Sequence, residues 1–156
     1  MPSTLHEFLA NDHARLDALL EECLRAEELP YASYEEFRRG LLRHIGIEER
    51  VLFPELRKHR GTTELERQLH RDHAALAALL VPPPTRRELE QIAAILETHN
   101  VLEESEPGLY EIIEQVTEDL PSLMERVHAI PETRLAPHSD TELLRTTIEQ
   151  LLRERG

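Results

Sequence analysis

The chain has 156 residues, with 18 Lys and Arg against 31 Asp and Glu and a single Cys, a length that makes one domain and buries a working core without disulfides or oligomerisation. The formal charge of -13 repels nucleic-acid phosphates and anionic membrane surfaces, so neither nucleic acid nor membrane is expected as a partner, and the lone Cys23 excludes an internal disulfide and suits a reducing compartment. With no basic segment ahead of an apolar one and no apolar run of about 18 residues, the expected location is cytoplasmic; five glycines, three tyrosines, three phenylalanines and no tryptophan, beside abundant Leu, Glu, Arg and Ala, are material for amphipathic helices and an all-α fold.

Helix starts are read from capping boxes, in which Ser or Thr is followed three residues later by Glu. Five occur, each ahead of an apolar-periodic run: Thr4 with Glu7, Ser33 with Glu36, Thr63 with Glu66, Thr85 with Glu88, and Ser139 with Glu142. The first helix is predicted from about Thr4 to Glu28, before Pro30, with Leu5, Leu9, His13, Leu16, Leu20 and Cys23 as its inner stripe. The second runs unbroken from Ser33 to about Arg60 and stops at Gly61, which suits a left-handed C-terminal cap. Its seam is Tyr34, Phe37, Leu41, His44, Glu48, Leu52 and Leu56.

A third helix, from Thr63 to about Val81, is ended by three consecutive prolines and has the stripe Leu65, Leu69, His73, Leu76 and Leu80, with His70 on its flank. The fourth begins at Thr85 and reads Leu89, Ile92, Leu96, His99, Glu103. Its pattern falters at Ser105-Glu106-Pro107-Gly108, where a kink or break is predicted before a continuation to about Thr117. A short helix from Asp119 to about Val127, a linker over 129–138 and a last helix from about Asp140 to Arg153 complete the chain. The expected division is a four-helix bundle over residues 1–118 and a helical extension over 119–156 packed on it, which is also a candidate surface for a protein partner.

The stretch from His44 to Pro54 organises this reading. Residues four apart share a helix face, so His44 and Glu48 point together into an apolar seam, and a carboxylate taken into a low-dielectric interior costs several kcal/mol unless it is paired or bound to a metal. The pattern repeats. Asp12-His13 followed by His44-x3-Glu48-Glu49 is matched by Asp72-His73 followed by His99-x3-Glu103-Glu104, at intervals of 60 and 55 residues. Two helix hairpins related by an approximate two-fold axis would give this, and four antiparallel helices offering inward ligands are a known way to build a carboxylate-bridged two-metal site. Imidazole and carboxylate without thiolate suit iron, manganese or zinc, and bridging oxygens favour a redox pair of iron or manganese. Asp12, Asp72, Glu49 and Glu104 lie beside these residues; most read as solvated helix-face charges, with a role in orienting imidazoles as the other option.

Those elements, His44-Ile-Gly-Ile-Glu48-Glu49-Arg-Val-Leu-Phe-Pro54, Asp12-His13, Asp72-His73 and His99-Asn-Val-Leu-Glu103-Glu104, resemble the hemerythrin superfamily in the branch of HHE cation-binding domains, over about residues 4 to 118. The resemblance implies an up-down antiparallel four-helix bundle with a non-haem di-iron centre, oxo- or hydroxo-bridged, in which His13 and His44 bind one iron, His73 and His99 the other, and Glu48 and Glu103 bridge. Hemerythrins carry His-x3-His on the third helix. Here the spacing is His70-x2-His73, with Leu69 where the extra ligand would lie, and His70 is expected to complete the set. The implied function is binding or sensing of dioxygen, or of another small diatomic or peroxide ligand. The alternatives are an enzyme that scavenges peroxide or nitric oxide, for which no non-ligand Tyr or His can be placed at the site from sequence, and an iron storage or iron-centre repair module. Repair proteins of this fold tend to carry a cysteine-bearing N-terminal segment, which is not expected here.

Overall fold

In the computed structural model, which describes residues 4–156, the chain forms α1 (Leu5–Arg25), α2 (Tyr31–Ile47), a π-helical turn (Glu48–Leu52) leading into α3 (Phe53–Arg60), then α4 (Glu64–Leu79), α5 (Arg86–Glu104), α6 (Leu109–Val116), α7 (Leu120–Ala129) and α8 (Glu142–Arg155). There is no strand among the described residues, so the chain is all-α. Among the described residues, no helix is long and apolar enough to cross a membrane.

Three of the five predicted capping boxes supply the N-cap of a helix. Thr4 accepts the Glu7 amide at 3.0 Å while Glu7 accepts the Thr4 amide at 3.4 Å, Thr63 accepts from the Glu66 amide and Thr85 from the Glu88 amide. The other two are displaced. α2 begins two residues before Ser33, directly after Pro30, whose carbonyl accepts the Tyr34 amide at 3.0 Å; proline's fixed φ favours a helix start there. α8 is capped by Thr141, which accepts the Leu144 amide at 3.1 Å, because the Ser139 amide is engaged instead by the Val81 carbonyl. α1 also stops short of Glu28, at Arg25, where Ala26 turns to extended backbone.

The helix predicted to run unbroken from Ser33 to Arg60 contains a π-turn instead. The Phe53 amide bonds to the Glu48 carbonyl, five residues back. Pro54 explains it: its ring would clash with the carbonyl four residues before it and it has no N–H to donate, so the preceding turn widens. Gly61 ends α3 with φ +67°, the region where a side chain is disfavoured.

The cross-helix contacts give the directions. Asp12 meets His44 and Arg57 meets Glu66, while His6 at the start of α1 meets Glu104 at the end of α5 and Ala26 beyond α1 meets Arg86 at the start of α5. Neighbouring helices are therefore antiparallel. Gly40 lets α1 and α2 close up, since a Cβ there would lie 2.7 Å from Leu16 Cδ2.

Two apolar clusters fill the interior. One holds Leu16, Leu20, Phe37, Leu76 and Ile92, with Ile148 from α8; the other holds Leu5, Leu9, Leu52, Leu69 and Ile113, with Leu123 and Val127 from α7. Along each inner stripe the polar residues interrupt the apolar ones between these clusters, as in Leu9, His13, Leu16 on α1 and Leu69, His73, Leu76 on α4. Hydrophobic burial on both sides thus supports a thin polar layer whose own groups are costly to bury.

Candidate metal centre

α1 contributes His13 to this layer, α2 His44, the π-turn Glu48, α4 His73 and α5 both His99 and Glu103. None is more than 4% exposed, and the two carboxylates are at 0%. They form two groups, His13, His44, Glu48 and Glu103, and Glu48, His73, His99 and Glu103, in each of which one donor atom per residue lies within 4.8 Å of every other. Both carboxylates belong to both groups. His13 Nε2 is 2.9 Å from Glu103 Oε1 and His99 Nε2 is 3.0 Å from Glu103 Oε2, while His44 Nε2 is 3.3 Å from Glu48 Oε2 and His73 Nε2 is 2.9 Å from Glu48 Oε1. Each carboxylate therefore presents one oxygen to each group.

Four further carboxylates fix the imidazoles. His44 Nδ1 donates to Asp12 at 2.7 Å, His73 Nδ1 to Glu49 at 2.7 Å, His99 Nδ1 to Asp72 at 2.9 Å and His13 Nδ1 to Glu104 at 2.7 Å. The pairs close a ring around the bundle, each helix orienting the histidine of the next. An ionised carboxylate only accepts, so each Nδ1 carries a proton and Nε2 faces inward, the ring nitrogen a metal would take once it is free of its proton. Asp12, Glu49, Asp72 and Glu104 are thus positioning residues. This corrects the reading of most of them as solvated face charges; Asp72 is 1% exposed. The Asp-His and Glu-Glu doublets carried that information, but only the packing shows that each acid serves a different helix.

The protonation of the layer follows from its charges. Burial disfavours a protonated His44, but the Glu48 charge and the hydrogen bond to Asp12 outweigh it and hold the imidazole well above its usual range. Burial likewise opposes protonation of His99, which Glu103 and Asp72 push up to about 10, and of His73, which Glu48 and Glu49 raise. Burial alone would raise Glu103, yet His99 and the surrounding hydrogen bonds keep it well below the carboxylate range. Imidazolium protons can therefore compensate the buried acids, and a cation in each group would displace them.

The donor set fits metal in a further respect. Glu103 Oε2 is buried and makes no hydrogen bond, although His99 Nε2 lies 3.0 Å away. Such an atom is expensive unless a cation is its partner.

His70 is not brought to the layer. Its side chain is 64% exposed and its Nδ1 lies 2.9 Å from Glu49 Oε1, because a spacing of three from His73 turns it around α4 toward solvent. Tyr110, by contrast, was not placed at the site by sequence. Its side chain is fully buried, with the hydroxyl 2.7 Å from Glu48 Oε2, 3.0 Å from Glu103 Oε1, 3.0 Å from His44 Nε2 and 3.1 Å from His13 Nε2. It comes from α6, beyond the break after Glu104, at a spacing of seven from Glu103 that shares its helical face. On the other side of the layer, a cavity of about 10 Å³ is lined by His13, His44 and His99 with Leu16, Leu41 and Leu96.

Comparison with curated proteins and with solved structures returned no match. The model of the hemerythrin HHE cation-binding domain matches residues 4–106, more than half of the chain and all six residues of the two donor groups. The chain therefore belongs to the hemerythrin HHE cation-binding domain family.

Proposed function

We propose that the chain holds two iron ions, one by His13 and His44 and one by His73 and His99, both bridged by Glu48 and Glu103, and that it binds or senses dioxygen there. One observation carries the reading: two fully buried carboxylates each face both histidine pairs. With nitrogen and oxygen donors and no thiolate, the set suits iron or manganese in preference to copper(I), and zinc would also be accepted. When bound, a ferrous pair supplies the electrons that a dioxygen ligand takes up.

The protein's own part is positional. The Nδ1 bonds to Asp12, Glu104, Glu49 and Asp72 keep the four imidazoles aimed inward, and the two apolar clusters keep bulk water from the layer. The small cavity beside His13, His44 and His99 has room for about one molecule the size of water, which favours a diatomic ligand over an organic substrate. Residues 119–156 act in this reading as an extension that braces the bundle, with Arg155 Nε 3.0 Å from Asp72 and Arg145 paired to Glu88.

The test is anaerobic reconstitution with ferrous iron, followed by optical spectra on adding dioxygen, peroxide or nitric oxide. A stable new ligand-to-iron band with dioxygen, reversed on its removal, is the expected result. Catalytic loss of peroxide or nitric oxide would replace binding by turnover, and simple oxidation with no ligand band would replace it by iron storage.

A further inference from the structure

The two halves of the centre are not chemically equal. Phe53 and Tyr110 are the first aromatic residues after Glu48-Glu49 and Glu103-Glu104, and each reaches across to a histidine of the other half. The Phe53 ring stacks on His73 with centroids 5.6 Å apart and planes at 17°, and the Tyr110 ring lies against His13 at 5.7 Å and 33°. They are counterparts under the approximate two-fold relation of the hairpins, and only one carries an oxygen.

That oxygen is closely set. Gly108, in the turn before α6, lies against the end of α5, where a Cβ would come within 2.5 Å of the Ser105 carbonyl and 2.9 Å of the carbonyls of Glu103 and Leu102. A turn so tight admits no side chain, and it brings Tyr110 back into the layer two residues later. The hydroxyl then has Glu48, Glu103, His44 and His13 all within 3.1 Å, the same four residues that make up the first donor group. A phenol has one proton to donate. Glu48 Oε2 and Glu103 Oε1 are both acceptors within 3.0 Å of it, so the single proton cannot satisfy both.

We propose that the Tyr110 oxygen is a fifth protein donor to the cation held by His13, His44, Glu48 and Glu103, whereas Phe53 leaves the cation at His73 and His99 with four. The proposal rests on the two-cation reading above and goes beyond it, because residue 110 lies outside the matched span of 4–106. On coordination the hydroxyl proton leaves to solvent and the oxygen–cation bond takes its place, with no change of oxidation state. The cation with four protein donors keeps one more position for an outside ligand, which gives the pair a direction.

The measurement is the optical and resonance Raman spectrum of the full chain, loaded with ferrous iron and oxidised by ferricyanide. A phenolate bound to ferric iron gives a visible charge-transfer band whose excitation enhances phenolate ring modes. Tyr31 is 60% exposed and Tyr34 lies in the other apolar cluster, so Tyr110 is the tyrosine placed to give them. The expected result is a band in the wild type that disappears in Tyr110→Phe while two irons per chain remain. Phe53→Tyr, which adds the oxygen to the other half, should increase the band about twofold and serves should Tyr110→Phe fail to fold. Two bound irons with no phenolate modes, or modes unchanged in Tyr110→Phe, would overturn the proposal. A wild type that binds fewer than two irons overturns the two-cation reading and the proposal with it, an outcome told apart by the metal count.

Discussion

Replacing Asp72 by alanine removes the acceptor that holds His99 Nδ1 at 2.9 Å and leaves all six residues of the two donor groups in place. Its effect can be sized from its surroundings. Asp72 is 1% exposed, and its other oxygen is taken by Gln68 at 3.1 Å and Arg155 at 3.0 Å, so after truncation neither solvent nor a flexible neighbour readily satisfies the stranded ring N–H, at a cost of about 1–3 kcal/mol. Loss of such outer partners typically lowers metal affinity by about 10–100-fold, or about 1.4–2.7 kcal/mol, and burial puts Asp72→Ala at the upper end. Glu104 is the internal comparison. It holds His13 Nδ1 at 2.7 Å, but its side chain is 34% exposed, so water can take its place and Glu104→Ala belongs at the lower end. Chelator competition against the loaded protein should show two release steps. Asp72→Ala should weaken one of them by about 100-fold and leave the other, and Glu104→Ala should shift one by about 10-fold. Unchanged release from Asp72→Ala, or a larger loss from Glu104→Ala, would refute the reasoning that buried carboxylates orient the imidazoles.

Two further outcomes follow from the same layer. Glu48→Ala removes a donor from both groups and should abolish tight binding of both cations, whereas His70→Ala, which alters an exposed side chain, should leave the metal content by elemental analysis unchanged; retention of two metals by Glu48→Ala would count against bridging. In the metal-free protein, His99 at about 10 lies above its unfolded value of about 6.5, so its contribution to stability is full below about pH 6.5 and is lost as pH rises toward 10. Glu103, held low, contributes above the usual carboxylate range and loses that contribution in acid. Denaturant midpoints of the metal-free chain should therefore fall between pH 6.5 and 10, and metal loading should release protons and flatten that fall. A midpoint that rises over this interval would contradict the assignment of imidazolium–carboxylate pairs.

The histidine and glutamate donors were legible in the sequence because they replace apolar residues at regular helical spacing, and the inner stripe of α1 proved buried at each expected position, including His13 and Cys23. Features that depend on one helix meeting another were harder to read. The acids beside the histidines look like surface charges along their own helices, and only cross-helix packing gives them partners. Tyr110 stands at helical spacing from Glu103 but beyond the break between α5 and α6, and the π-turn had no cue but Pro54. Ser33 and Ser139 show the limit of capping patterns: the same residue spacing exists, but Pro30 starts α2 earlier and Val81 takes the Ser139 amide.

The central claim is that two cations share Glu48 and Glu103 inside one chain. Native mass spectrometry of the protein loaded anaerobically with ferrous iron, combined with iron X-ray absorption, tests it most directly. The account predicts two irons per chain with nitrogen and oxygen neighbours and an iron–iron distance of about 3.5–4 Å, the spacing usual for paired metal sites. A chain that saturates at one iron, or two irons with no iron neighbour detectable at that range, would contradict it.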